Sequence, residues 1–170
     1  MSLISFDGKW INNLYEYGTT THTGNTNNTI LESVVVPANT YRTGDIIMLD
    51  SMFDKSGTAG IWTLRFYWVA GNTPTLSGAI QLSLRSIGST NQFATQNRRL
   101  YIRTADGTGS GFTLGTEVIT AGSGIYNDYR SEAVSNLALD WTSVSCIFST
   151  VQLGNSTDRV TQYYLKIWEW

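Results

Sequence analysis

Apolar and polar residues alternate with a period of two through most of this chain, and that pattern leaves few folds open. In "IWTLRFYWV" (61–69), Trp62, Leu64, Phe66 and Trp68 share one side, while Thr63, Arg65 and Tyr67 share the other. "AIQLSLRSI" (79–87) repeats the scheme with Ile80, Leu82 and Leu84, and "RRLYIRT" (98–104) places Leu100 and Ile102 opposite Arg99, Tyr101 and Arg103. Successive side chains of a strand point to opposite faces, so each run reads as a strand with one buried and one solvated side. Further strands read at 29–36, 45–53, 141–153 and 158–168. Trp62, Leu64, Phe66, Leu82, Leu84, Leu100 and Ile102 are therefore expected inside, because a one-residue slip would turn each strand's set to water.

Turn residues punctuate these runs: Thr43-Gly44-Asp45, Lys55-Ser56-Gly57, Gly71-Asn72-Thr73-Pro74, Gly88-Ser89 and Gly154-Asn155-Ser156. Glycine supplies positive φ, and Asn or Asp closes local side-chain turns. Pro37 ends a strand and Pro74 lies in a turn, so neither interrupts a ladder. Many short antiparallel strands at this spacing predict an all-β antiparallel β-sandwich, with a jelly roll as the preferred form. The expected organisation is an N-terminal arm or first strand over 1–20 and a single sandwich domain over 21–170. Residues 105–127 break the rhythm with two Gly-rich knots around a short strand candidate, Thr116–Thr120, and read as a surface excursion. "DYRSEAVSNLAL" (128–139) offers the one helix candidate, with a single turn as the alternative.

Composition narrows the function classes. Of 170 residues, 14% are charged, well below the roughly 25% of an average soluble domain, so hydroxyls and amides carry much of the solubility. The formal charge of −2 provides no basic field for a phosphate backbone, which argues against nucleic acid. Apolar runs fall short of the roughly 20 residues that span a bilayer, and "MSLISFDGKW" lacks the apolar core of a secretion signal. The expectation is a soluble chain made in the cytoplasm. One cysteine, Cys146, excludes an internal disulfide and a cysteine-built metal site. Its alternation with Val144 and Phe148 reads as a small buried hydrophobe.

No motif carries chemistry. His22, the only histidine, stands among threonines and asparagines with no nucleophile-elbow pattern, so it reads with Gly24 and Pro37 as part of a structural turn. The thirteen acidic residues show no spacing that selects a glycosidase pair. "GTGSG" (107–111) lacks the lysine and hydroxyl of a phosphate loop. No Asp/Asn run matches a calcium loop, and the Asn27 and Asn155 glycosylation acceptors are accidents of composition without a secretion signal. Catalytic residues, cofactors and metals are expected to be absent.

Aromatics are the informative excess, at 12% of the chain. In the closing "YYLKIWEW", Tyr163, Leu165 and Ile167 take one side and Tyr164, Trp168 and Trp170 the other. A strand buried on one face should not carry aromatics on both. Either a neighbouring subunit covers the second face, or that face is a platform for sugar stacking. Tyr101, Tyr164, Trp168 and Trp170 are the candidate contact residues.

The stretch "HTGNTNNTILESVVVPANTYRTGDIIML" resembles a pattern recurring in virion surface proteins of tailed bacteriophages. There a His-Thr-Gly turn leads through Thr and Asn to an apolar strand ending in Pro-Ala, followed by a hydroxyl-rich turn and Gly-Asp. The matching positions are His22, Thr23, Gly24, Thr26, Leu31, Ser33, Pro37, Ala38, Asn39, Gly44 and Asp45. The close, "STVQLGNSTDRVTQYYLKI", looks like the family's Gln-Leu, polar turn, Asp and final apolar strand. The middle of the chain is unmatched, Tyr41 stands where an aliphatic is usual, and 105–139 has no counterpart. The resemblance implies a homotrimeric jelly roll on the virion surface, made in the host cytoplasm: a capsid decoration (cement) protein, a head fibre or a tail-fibre tip. Its implied partners are further copies of itself and virion proteins such as the major capsid protein, with no nucleic acid, no membrane and no catalytic role for His22. Two function classes follow: a structural trimer, or a receptor-binding tip or lectin-like module recognising cell-surface glycan. Enzymatic depolymerisation is a distant third.

Overall fold

Each alternating run forms a strand in the computed structural model, which describes residues 2–6, 9–16, 19–58, 60–88, 93–115, 118–121, 124–127 and 137–169, with side chains over 19–58, 60–88, 93–106 and 137–169. In chain order the strands are β1 (Ser2–Phe6), β2 (Lys9–Glu16), β3 (Thr20–Thr23), β4 (Thr29–Val36), β5 (Ile46–Ser56), β6 (Trp62–Ala70) and β7 (Ile80–Ile87). They continue with β8 (Phe93–Ile102), β9 (Asp106–Gly115), β10 (Val118–Ala121), β11 (Gly124–Asn127), β12 (Leu137–Asp140), β13 (Ser145–Gln152) and β14 (Arg159–Glu169). No helix occurs among the described residues. The large sheet runs β1-β2-β14-β5-β8-β9-β12, with β3 also paired to β14; the small sheet runs β4-β13-β6-β7. All these pairs are antiparallel, and β10 and β11 form a separate hairpin. The fold is an all-β antiparallel sandwich, as the period-two pattern predicts.

Register explains how the layers fill. From the large sheet, Ile47 and Leu49 of β5, Leu100 and Ile102 of β8, and Leu165 and Ile167 of β14 point inward. They meet Val34, Val36, Phe66, Trp68, Leu82 and Ile147 of the small sheet. Tyr41 and Trp141 close that end with their rings edge to face at 5.4 Å. A second cluster fills the other end: Phe53, Trp62, Leu64, Ile87, Ala94, Val151, Leu153 and Val160. Burying side chains of this size contributes on the order of 1.5–3 kcal/mol each.

A belt of buried polar side chains separates the two clusters. Gln162 donates to Ser51 Oγ and accepts from Ser149 Oγ, both at hydrogen-bond distance (2.5 and 2.6 Å), joining β14, β5 and β13. Gln96 of β8 donates to Ser83 Oγ of β7 at 2.7 Å. These groups lie inside the sandwich, and their bonds to one another offset the cost of leaving water. Since each bond needs its own register, the belt also penalises slipped pairings that an all-apolar core would tolerate.

Three expectations are corrected. Leu84 is 48% exposed while Leu82 is 3% exposed. The β6–β7 ladder pairs Phe66 with Ser83 but Tyr67 with Gln81, and this bulge reverses the inward parity beyond Leu82. A second shift, between Gln162 and Tyr164, breaks the simple alternation of β14 and leaves Tyr163 37% exposed, although it was expected to share a side with Leu165. Finally, part of the 105–127 excursion is sheet: β9 pairs with β8 on one side and β12 on the other. "DGTGSGFTLG" lacks apolar alternation, so periodicity could not reveal that strand. The helix candidate ends in β12, and its residues 128–136 lie outside the described ones.

Candidate functional site: the outer face of the large sheet

Residues of β5, β14 and β8 that alternate with the core set make up the outer face of the large sheet. Cross-strand register sets three rows: Trp168, Met48 and Arg99; Lys166, Asp50 and Asn97; Tyr164, Met52 and Thr95. Beyond them, Ile46 lies opposite Tyr101, and Asp54 opposite Phe93. Tyr101 is 40% and Phe93 46% exposed, whereas Tyr164 and Trp168 are half-buried. Aromatic and methionine side chains are thus interleaved with charges of both signs.

The polar groups are organised. Tyr164 Oη donates to Asp50 Oδ2 at 3.2 Å, and the Lys166 ammonium lies 4.3 Å from the centroid of the Trp168 ring, a cation–π contact. Partial burial raises the Asp50 carboxyl above its ordinary value, against the lowering effects of Tyr164, Lys166 and the Ser51 backbone. Of the candidate contact residues, the structure brings Tyr164 and Trp168 to adjacent rows and places Tyr101 near one end of the same face. Trp170 lies outside the described residues.

His22 sits elsewhere, at the far end of the sandwich. Its backbone pairs with Val160, its ring is buried, and Nε2 lies 3.2 Å from the Asn25 carbonyl and 3.4 Å from Thr29 Oγ1. Gly24, at φ +92°, donates its N–H to the Ser156 carbonyl at 3.1 Å. Pro37 follows β4, and its carbonyl accepts from Thr40 Oγ1 at 2.7 Å. Each of the three serves a turn.

A neighbouring feature escaped the sequence analysis. Lys55 Nζ and Asp158 Oδ2 form a buried ion pair at 2.9 Å. Asp158 Oδ1 also accepts from Thr58 N and Oγ1, at 2.7 and 2.9 Å, and Lys55 donates to the Thr58 carbonyl. Gly57, at φ +117°, passes so close that a Cβ there would lie 2.7 Å from Asp158 Oδ1. The carboxylate thus clasps the β5–β6 loop to the β13–β14 turn. Burial works against the charge, but the Lys55 and Thr58 partners outweigh it and hold the carboxyl below its usual value. Lys55 lies two residues beyond Phe53, on the inward parity of β5, and that alternation was the available signal.

The chemistry these groups can perform is limited. Burial pushes the Cys146 thiol up, with Ser33 opposing, so little thiolate forms at neutral pH. Asp50 and Asp54 share one face of β5 four residues apart, about 13 Å along an extended strand, beyond the roughly 5–9.5 Å of glycosidase carboxylates. Among the described residues no group of three His, Cys, Asp or Glu side chains converges as metal ligands.

No protein family and no curated protein matches the chain. Among solved structures, an uncharacterized protein from Mycobacterium paratuberculosis is similar at 13% identity and a TM-score of 0.33, over 95% of this chain and 83% of that one. A glycosyl hydrolase family protein from Mycobacterium fortuitum is similar at 10% identity and a TM-score of 0.31, over 95% and 76%. At these TM-scores the likenesses carry no argument about activity.

Proposed function

We propose that this chain is a non-enzymatic structural protein of a phage virion, a homotrimeric capsid decoration or head-fibre protein exposed at the virion surface. The observation that carries the contact surface is the outer face of the large sheet, where Trp168, Tyr164, Tyr101, Phe93 and Met52 gather on three strands around the buried Met48. Aromatic and methionine side chains are enriched where proteins meet. Lys166 lies over the Trp168 ring and Tyr164 is tied to Asp50, which suits a protein contact better than a sugar stacked on those rings. The virion setting and the number three rest on the resemblance of residues 22–49 and 149–167 to phage surface proteins, as does the jelly-roll form of the sandwich. Further copies of the chain and the major capsid protein are the proposed partners.

Tyr101 and Phe93 stand open, and they support a second reading, a receptor-binding tip or lectin-like module for cell-surface glycan. Sedimentation equilibrium at micromolar concentration tests the first reading, together with electron microscopy of particles carrying a tagged chain. A trimer weakened by Trp168→Ala supports it. A monomer that gives positive spots on a glycan array replaces it with the second.

A further inference from the structure

The outer face of the small sheet, across the sandwich from Trp168 and Tyr101, carries an ordered polar network. Arg65 of β6 donates from Nη1 to Asn28 Oδ1 at 3.3 Å and from Nη2 to Gln152 Oε1 at 3.1 Å. Asn28 Nδ2 donates to Tyr67 Oη, which donates to Gln81 Oε1, both at 3.4 Å. Tyr67 stacks on its cross-strand neighbour Phe148, with ring centroids 5.4 Å apart and planes at 15°. Phe148 is fully buried and Tyr67 half-buried, so Tyr67 turns its other ring face and its edge to solvent. Leu84, exposed on β7 opposite Arg65, adds an apolar flank.

Charge on this face is one-sided. Among the described residues Arg65 is the only charged side chain on the outward parity of β4, β13, β6 and β7, because Glu32 and Arg85 are buried on the inward one. The adjoining turns 24–28 and 71–79 hold no charged residue. Two of the five guanidinium N–H donors are engaged, both with neutral amide oxygens. On β13 directly opposite Arg65, the buried Thr150 hydroxyl has no hydrogen-bond partner. An unbalanced cation thus stands beside an unsatisfied hydroxyl.

We propose that this face binds a saccharide bearing a carboxylate, with its ring on Tyr67 and its carboxylate on Arg65. The apolar C–H face of a sugar suits an open aromatic ring beside a leucine. Asn28, Gln81 and Gln152 carry both donors and acceptors, as a ligand rich in hydroxyls requires. The guanidinium fork matches a carboxylate through paired N–H donors. A single cation without a basic field around it does not select a nucleic acid backbone. The inference rests on the glycan-binding reading and gives it a ligand class and a place. That place lies on the sheet opposite the proposed assembly face, so a trimer leaves it free.

The test is saturation-transfer NMR titration of the full-length chain with trigalacturonate, with the neutral galactotriose and with acetate. Trigalacturonate should bind about tenfold or more tightly than either control, the worth of a charge-assisted hydrogen bond. Arg65→Gln should remove that preference, and Arg65→Lys, which keeps the charge without the fork, should fall between. Tyr67→Leu should weaken binding while Tyr67→Phe retains it, and Tyr101→Ala on the other sheet should change nothing. Equal affinity for galactotriose or acetate, or binding that survives Arg65→Gln, overturns the proposal. Binding lost in Tyr101→Ala but kept in Arg65→Gln overturns this site and leaves the glycan reading standing on the large sheet. No binding of any saccharide overturns both.

Discussion

Breaking the Lys55–Asp158 clasp should cost more than any comparable change of surface charge. Lys55→Met removes the ammonium and leaves Asp158 buried, held only by the Thr58 N–H and hydroxyl. Breaking a buried pair in this way costs about 3–5 kcal/mol. The clasp lies at the end of the sandwich under the backbone of the 57–60 loop, so the lower figure, about 3 kcal/mol, is the expected loss. Asp158→Asn spares the shape but strands Lys55, and should cost a similar amount. The double variant Lys55→Met/Asp158→Asn should recover part of the loss, because no uncompensated charge remains. Equilibrium urea unfolding at pH 7 measures all four proteins, with the slope against denaturant expected to stay constant. The same experiment against pH adds a check of sign. The Asp158 carboxyl is lowered in the folded chain, so its contribution is complete above the unfolded value, about pH 4, and is lost as pH falls through the lower folded value. Asp158→Asn should lack that part of the acid slope. Single variants that each lose under about 1 kcal/mol would refute the reasoning, since exposed pairs behave that way.

The β6–β7 bulge separates two leucines one position apart in the pattern. Leu82→Ala should cost about 2–5 kcal/mol in chemical unfolding, and Leu84→Ala within about 0.5 kcal/mol. The polar belt predicts that Gln162→Leu, though more apolar, destabilises by about 0.5–1.5 kcal/mol per hydrogen bond lost, Ser51 keeping its bond to the Tyr164 carbonyl and Ser149 its bonds to the Glu32 backbone; a stabilised variant would show the belt to be dispensable. His22→Asn should lose about 1 kcal/mol, the worth of one hydrogen bond, with assembly retained in sedimentation. Gly154→Ala would set a Cβ 2.2 Å from the Ile61 carbonyl oxygen, so soluble expression should fall sharply.

Local pattern determined a good deal of this protein. Alternation in 61–69 and 98–104 was enough to place Trp62, Leu64, Phe66, Leu100 and Ile102 inside, because side-chain direction along a strand follows from backbone geometry alone. It likewise set Tyr101 and Trp168 on an outer face, and the turn residues at Gly44, Gly57 and Gly71 all adopt the positive φ that glycine permits. Tertiary structure decided what depends on partners distant in sequence. Whether Leu84 faces in or out depends on a bulge opposite Phe66 and Tyr67, which no single strand encodes. The Gly-rich β9 is a strand because β8 and β12 supply its hydrogen bonds. Asp158, in the turn that precedes β14, becomes the buried partner of a lysine 103 positions earlier only when β5 pairs with β14. The same pairing sets Asp50 between Tyr164 and Lys166, where burial and neighbouring charge decide how its carboxyl titrates.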